Sequence, residues 1–140
     1  MNRLRSAFLG LGLLLAVSAA QAQETRVKAN IPFDFVVGNQ ILPAGEYLVA
    51  SEGSTNQTIV IRSDDSKTAI LSLTNSCSSS KPSDMSKLVF HRLANRYFLS
   101  QVWVEGNSSG WQLPHSKAEI EMAKNNDKSE QFVLAARLTR

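Results

Sequence analysis

The sequence predicts an all-β domain with one short helix, folded as an antiparallel β-sandwich or a small closed β-barrel. Short runs of apolar residues alternate with polar ones along most of the chain, which is typical of half-buried strands. Tight polar turns separate these runs at hairpin spacing. A single segment near the C-terminus carries helix signals. Sheet faces this apolar must be covered, either by a second sheet or by closure of the sheet on itself.

Alternation and turn residues predict about seven or eight strands. They lie at residues 26–31, 33–37, 46–50, 58–62, 67–73, 88–93, 97–104 and 131–138, and a short apolar pair at 41–42 leads into the turn before the third of them. Polar turns at 63–66 and 94–96 predict two hairpins. The serine-rich stretch 74–86 and the stretch 105–110 are predicted to be loops, because both are polar and lack alternation.

The one predicted helix spans about Lys117 to Lys124. Ser116 followed three residues later by Glu119 is a capping box, in which each side chain bonds a backbone N–H at the other position. The apolar stripe of this helix is narrow. We therefore expect it to lie over an open end or an edge of the sheets.

Residues 1–22 have the layout of a cleavable signal peptide. Arg3 and Arg5 precede an apolar run from Ala7 to Val17, and cleavage is expected after Ala22. Eleven apolar residues at about 1.5 Å each reach only about half of a bilayer core of about 30 Å. The expectation is an exported protein, periplasmic or extracellular, whose mature part, residues 23–140, is a single β-rich domain without integral membrane association.

The charge of the chain resides largely in this signal. Its formal net charge is +3, and removing two arginines from the 15 basic residues leaves 13 against 12 acidic residues. A surface this balanced predicts no nucleic-acid partner.

Cys77 is the single cysteine, so no internal disulfide can form. It lies in a polar stretch and is expected to be exposed. Two alternatives stay open: a free thiol without a role, which is favoured, or a disulfide-linked dimer through Cys77.

Two motifs resemble those of a known family. Residues 29–38 are A-N-I-P-F-D-F-V-V-G and residues 42–47 are L-P-A-G-E-Y. The chain resembles a family of uncharacterised small secreted bacterial proteins with the pattern I/V-P-F-x-F-x-V-G followed by L-P-A-G-x-Y. Segments 97–103 and 113–119 are also similar to that family, so the resemblance covers most of the mature chain. It implies one exported domain and no particular activity.

The same motifs have a structural interpretation. Gly38 and Gly45 suit turns, and Phe33 and Phe35 suit a core. Tyr47, two residues after Gly45, is placed to bond a nearby backbone group, as in a tyrosine corner.

The sequence predicts no catalytic set, no metal site and no cofactor. It contains no Gly-x-Ser-x-Gly elbow. His91 and His115 are 24 positions apart, which is not a zinc-ligand spacing. His91 is interpreted as a packed or rim histidine. Glu119 and Glu121 could form a carboxylate pair with His115, but residues i and i+2 point apart on a helix, and Glu119 is already assigned to helix capping.

Aromatic residues supply the one candidate ligand-binding feature. Tyr97, Trp103 and Trp111, with the glycine-containing loop between the tryptophans, are candidates for a platform that binds a sugar or a peptide. Packing in the core or at its rim is the favoured alternative. Trp103 shares the alternation phase of Tyr97 and Leu99, which favours the core for that residue.

The favoured function is therefore a non-enzymatic exported β-domain that binds an envelope component, a peptide or a carbohydrate. One rival is a small envelope hydrolase using His91, His115 and a nearby carboxylate, which requires these groups to lie within about 10 Å and share a cleft. Another is a carrier of apolar ligands in a closed barrel, which requires an enclosed pocket of about 300 Å³ or more.

Overall fold

A computed structural model of the chain describes residues 25–125 and 128–139. The predicted signal peptide lies outside the described residues. The described part contains strands and one helix, in the order β1 (Arg26–Ile31), β2 (Phe35–Val37), β3 (Gln40–Leu42), β4 (Gly45–Glu52), β5 (Thr58–Ser63), β6 (Ala69–Leu73), β7 (Asn75–Ser78), β8 (Lys87–Leu93), β9 (Arg96–Trp103), β10 (Ser109–Gln112), α1 (Lys117–Lys124), β11 (Ser129–Ala135) and β12 (Arg137–Thr139). This helix is not long enough to cross a membrane.

The strands form two sheets, which confirms the predicted all-β class. One sheet has five strands in the order β12-β1-β4-β5-β6. The other has seven, in the order β11-β8-β9-β10-β7, with β2 joined to β9 and β3 joined to β2. Neighbouring strands run antiparallel except β2 and β9, which are parallel. The described residues form no closed barrel, so of the two predicted architectures the sandwich is the one observed.

The core lies between the two sheets. The five-stranded sheet contributes Val27, Val49 and Ile61, each 0% exposed. The seven-stranded sheet contributes Phe90 and Val102, also 0% exposed, to the same cluster. Alternate residues of each strand therefore meet across the sandwich, as the period-two pattern predicts.

Two strands occupy stretches that were predicted to be loops. Strand β7 lies within the serine-rich stretch, and β10 begins at Ser109 inside the other expected loop. Strand β10 pairs on one side with β9 and on the other with β7. Backbone hydrogen bonds to a neighbouring strand are available to any residue type except proline, so a polar segment becomes a strand where tertiary packing places it beside one.

Helix α1 covers the outer face of the seven-stranded sheet, not an open end or an edge as expected. Ala118 and Met122 pack against a second buried cluster formed by Val36, Leu93 and Phe98. The narrow apolar stripe of the helix suffices because this cluster is small.

Tyr47 forms the predicted tyrosine corner. Its hydroxyl donates a hydrogen bond to the carbonyl of Pro43 at 2.6 Å, and its side chain is 2% exposed. Asp34 Oδ1 accepts a hydrogen bond from the N–H of Ala44 at 3.0 Å. These two bonds tie the turn before β4 to the core and to the β1–β2 connection.

Replacing Tyr47 by phenylalanine should lower the free energy of unfolding by about 1 kcal/mol, because the Pro43 carbonyl loses its donor. Burial, with smaller contributions from Asp65 and Asp34, raises the pKa of the Tyr47 phenol. The folded protein thus favours the neutral phenol, and this contribution to stability is present below about pH 10 and lost as the pH rises through the folded-state pKa. Urea unfolding at pH 7 and between pH 9 and 11 measures both effects. Tyr47→Phe should show the smaller alkaline loss, and identical curves for both proteins would contradict the corner's role.

Candidate functional site

The three aromatic candidates do not form one platform. In the pairing of β8 with β9, Phe90 lies opposite Leu99 and Val89 opposite Gln101, so Ser100 has no partner and forms a β-bulge. A bulge inserts one residue and reverses which face each later side chain occupies. Leu99 and Val102 consequently both face the core, and the expected common phase of Trp103 with Leu99 is wrong.

Tyr97 lies in an aromatic cluster between the sheets. Its ring stacks on Phe33 with centroids 3.8 Å apart and planes inclined by 15°. Phe132 meets the Tyr97 ring edge-on at 5.8 Å, and the Arg92 guanidinium lies 5.6 Å from its centroid. These contacts favour the interpretation that Tyr97 packs in or beside the core.

Trp103 lies on the outer face of the seven-stranded sheet. Its indole N–H donates to Gln101 Oε1 at 3.0 Å, and the Lys87 ammonium lies 5.9 Å from the ring. The ring packs over Gly110, where an added Cβ would lie 2.9 Å from Trp103 Cδ2. Trp103 borders an open cleft that also contains charged residues, Lys81 and Asp84 among them.

Trp111 faces the opposite way, toward the space between the sheets. It pairs with Val102 and belongs, like Val102, to the main core cluster. Its indole N–H donates to the backbone carbonyl of Asn56 at 3.1 Å. This bond links the seven-stranded sheet to the loop between β4 and β5 of the other sheet.

A cleft of about 250 Å³ opens beside Trp111 at this end of the sandwich. Thr25 and the β4–β5 loop line it on one side, and β7, β10 and the β9–β10 loop line it on the other. The lining combines one indole and one valine with side-chain amides and hydroxyls. The lining residues are Thr25, Thr55, Asn56, Gln57, Ser76, Val104, Asn107, Ser109, Gly110 and Trp111. No charged side chain is among them, whereas three other clefts on the described part of the chain each contain charged residues.

A second arrangement joins His91 and His115, the two histidines of the rival hydrolase hypothesis, to the carboxylate of Glu119. Their potential ligand atoms all lie within 4.8 Å of one another. His91 Nδ1 is hydrogen-bonded to Glu119 Oε1 at 2.9 Å, and His115 Nδ1 lies 3.1 Å from the same oxygen. The imidazole rings are nearly parallel, with centroids 6.0 Å apart and planes inclined by 22°.

The assignment of Glu119 to a reciprocal capping box is half correct. Ser116 Oγ accepts a hydrogen bond from the N–H of Glu119 at 3.1 Å, as predicted. The Glu119 carboxylate, however, contacts the two histidines. The spacing of His115 and Glu119, four residues apart at a helix start, is a local signal that could have indicated their contact. The approach of His91 had no such signal, because it depends on α1 packing against β8.

Cys77 lies on β7, an edge strand of its sheet, opposite Gly110. It is a free thiol of intermediate exposure, less open than the sequence suggests. Burial raises the pKa of the Cys77 thiol, although backbone hydrogen bonding partly opposes this. The thiolate needed for disulfide exchange is therefore scarce near neutral pH, and the disulfide-linked dimer stays a prediction.

Comparisons of the chain with protein-family models, with curated proteins and with solved structures find no match, so the resemblance noted from its motifs stays a prediction.

Proposed function

We propose that this chain is an exported, non-enzymatic β-domain that binds a neutral carbohydrate in the cleft beside Trp111. The observation that carries the proposal is the lining of that cleft, in which an indole is surrounded by uncharged hydrogen-bonding side chains. The signal-like N-terminus supports a periplasmic or extracellular location.

The chemistry of the lining suits a sugar ring. Each side-chain amide of Asn56, Gln57 and Asn107 offers both donors and an acceptor, which matches hydroxyl groups that need both. Trp111 is only 8% exposed, so its apolar contact with a sugar is small and the amides supply most of the interactions. A charged ligand would find no counter-charge among these residues.

The size of the cleft also favours a small polar unit. Its volume of about 250 Å³ is just below the range of about 300–1,000 Å³ that is typical of small-molecule sites. One sugar unit can therefore be enclosed, with the rest of a longer glycan outside. The lining offers no apolar side-chain pocket of the kind that selects a peptide, which makes carbohydrate the better match.

Titration of the purified protein with a panel of neutral hexoses, N-acetylhexosamines and their disaccharides tests this proposal. We expect at least one to bind saturably by calorimetry. Asn107→Ala should weaken that binding about tenfold, the equivalent of one hydrogen bond. Asn95→Ala is the matched control, because Asn95 is an exposed asparagine in the β8–β9 turn, outside the cleft. Absence of saturable binding across the panel, or equal affinities of both variants, would contradict the proposal.

The rival hydrolase has one observation in its favour. His91, His115 and a carboxylate lie within 4.8 Å of one another, well inside the limit of about 10 Å that cooperation requires. Assays with ester, peptide and glycoside substrates separate the two functions. We expect no turnover, whereas turnover that disappears in His91→Ala or His115→Ala would overturn the non-enzymatic proposal.

A further inference from the structure

The outer face of the seven-stranded sheet holds two imidazoles and one carboxylate that the carbohydrate proposal does not use. We propose that His91, His115 and Glu119 form a binding site for one divalent transition-metal ion of the Zn²⁺ type. Their distances, their ligand chemistry and their positions in the fold support this site.

The distances are close to those of a coordinated set. Nitrogen and oxygen ligands lie about 2.0–2.2 Å from zinc, so neighbouring ligands in a tetrahedral site are about 3.2–3.6 Å apart. Glu119 Oε1 lies 2.9 Å from His91 Nδ1 and 3.1 Å from His115 Nδ1. All three ligand atoms lie within 4.8 Å of one another, so side-chain shifts of at most about 1 Å would bring them to tetrahedral spacing around one ion. Each neutral imidazole can place its proton on Nε2 and leave Nδ1 as the ligand.

The ligand types select the class of ion. Imidazole suits Zn²⁺, Cu²⁺ and Ni²⁺, whereas Mg²⁺ and Ca²⁺ prefer sites built from oxygen. Two histidines and one carboxylate are three protein ligands, a number that leaves a coordination position open in a tetrahedral site. The His115 side chain is 56% exposed, so water can reach the ion from that side.

The fold holds two of the ligands in place. His91 lies in the interior of the sheet, paired with Phe98 on one side and Gln131 on the other. Glu119 is 9% exposed in its side chain, and its backbone N–H is held by Ser116 Oγ. Ligands on regular elements lose little freedom when an ion binds.

A purely structural account explains only part of this cluster. The bond between His91 and Glu119 satisfies a buried carboxylate and joins α1 to β8, with no need of a third group. His115 aims the same ring nitrogen at the same oxygen from a largely exposed position. The hydrogen bond between His91 and Glu119 does not require a third group. A bound metal ion does require a third ligand.

Calorimetric titration of the untagged, metal-free protein with ZnCl₂ tests the proposal. We expect one saturable site per chain and no saturable binding of MgCl₂. His115→Ala should weaken Zn²⁺ binding about 100-fold, at least as much as the loss of an outer-shell contact. Because His115 is exposed, this variant should fold normally, and its urea unfolding curve without metal checks that it does.

Two matched variants complete the experiment. Glu121→Gln removes a neighbouring helix carboxylate that is exposed and should leave Zn²⁺ affinity unchanged. Cys77→Ser removes the only thiol and should also leave it unchanged. No saturable Zn²⁺ binding, or equal affinity in folded His115→Ala and the native protein, would show that the cluster is only structural and overturn the inference.

This inference is independent of the carbohydrate proposal. None of the three residues lines the cleft beside Trp111, so sugar binding should persist in His115→Ala and Zn²⁺ binding in Asn107→Ala. Failure of one proposal is therefore visible without failure of the other.

Discussion

Replacing Phe90 by alanine is expected to lower the free energy of unfolding by about 3–5 kcal/mol, the range seen when a buried phenylalanine is truncated. Phe90 is 0% exposed and meets Phe33 and Phe35 edge-on, with centroids 5.1 and 5.8 Å away. Phe35 in turn meets Tyr47 of the other sheet at 5.0 Å. Truncation would thus open a cavity where the two sheets meet. Since a domain of this size is stable by only about 5–15 kcal/mol, urea unfolding should show a large shift in midpoint.

Phe132 provides the matched control for Phe90. It lies directly opposite Phe90 in the pairing of β11 with β8, but it is 39% exposed. Phe132→Ala should therefore cost less, about 1–2 kcal/mol, since less apolar area leaves water on folding. Equal losses of unfolding free energy in the two variants would show that Phe90 is no more important to the core than Phe132.

Replacing Gly110 by alanine should lower the free energy of unfolding by about 1–3 kcal/mol, because the added methyl has no room. Its Cβ would lie 2.7 Å from the carbonyl oxygen of Val102 and 2.9 Å from Trp103 Cδ2. The indole can move, but the carbonyl belongs to β9, which β10 pairs with through Trp111 and Val102. Relief of the clash would therefore disturb the strand that positions Trp111.

The neighbouring residue offers a control for Gly110. Ser109 is exposed on the same strand, and Ser109→Ala should change stability by no more than about 0.5 kcal/mol. The double variant Trp103→Ala/Gly110→Ala should remain less stable than Trp103→Ala alone, because the carbonyl contact persists. A Gly110→Ala protein as stable as the native one would refute the steric argument.

Much of the fold was predictable from local pattern. Alternation identified β1 with its observed limits, 26–31, and the spacing of Gly45 and Tyr47 indicated the tyrosine corner. These features succeed because a strand that buries one face needs a period of two, whatever its partner. The helix start at Ser116 was equally local, since capping involves only the first turn.

The sequence predictions that were wrong share a different cause, which is the identity of the neighbouring strand. The bulge at Ser100 reverses the orientation of Trp103, and a bulge is defined by the partner strand and not by its own residues. Strands β7 and β10 carry no apolar alternation, and they are strands because β10 pairs with β9 on one side and with β7 on the other. No window along the chain contains the information about which strand lies alongside.

The same distinction between local pattern and tertiary packing applies to the candidate sites. By itself the sequence determined the β class and the absence of an internal disulfide, and it predicted an export signal and a candidate ligand-binding role for Trp111. Only the tertiary structure decided that Trp111 borders an uncharged cleft between two sheets, and that His91 meets His115 and Glu119. The physical reason is that both sites join residues distant in the chain, and their proximity follows from how the sheets and α1 pack. Periodicity determines which face of an element is buried, but not which other element covers it.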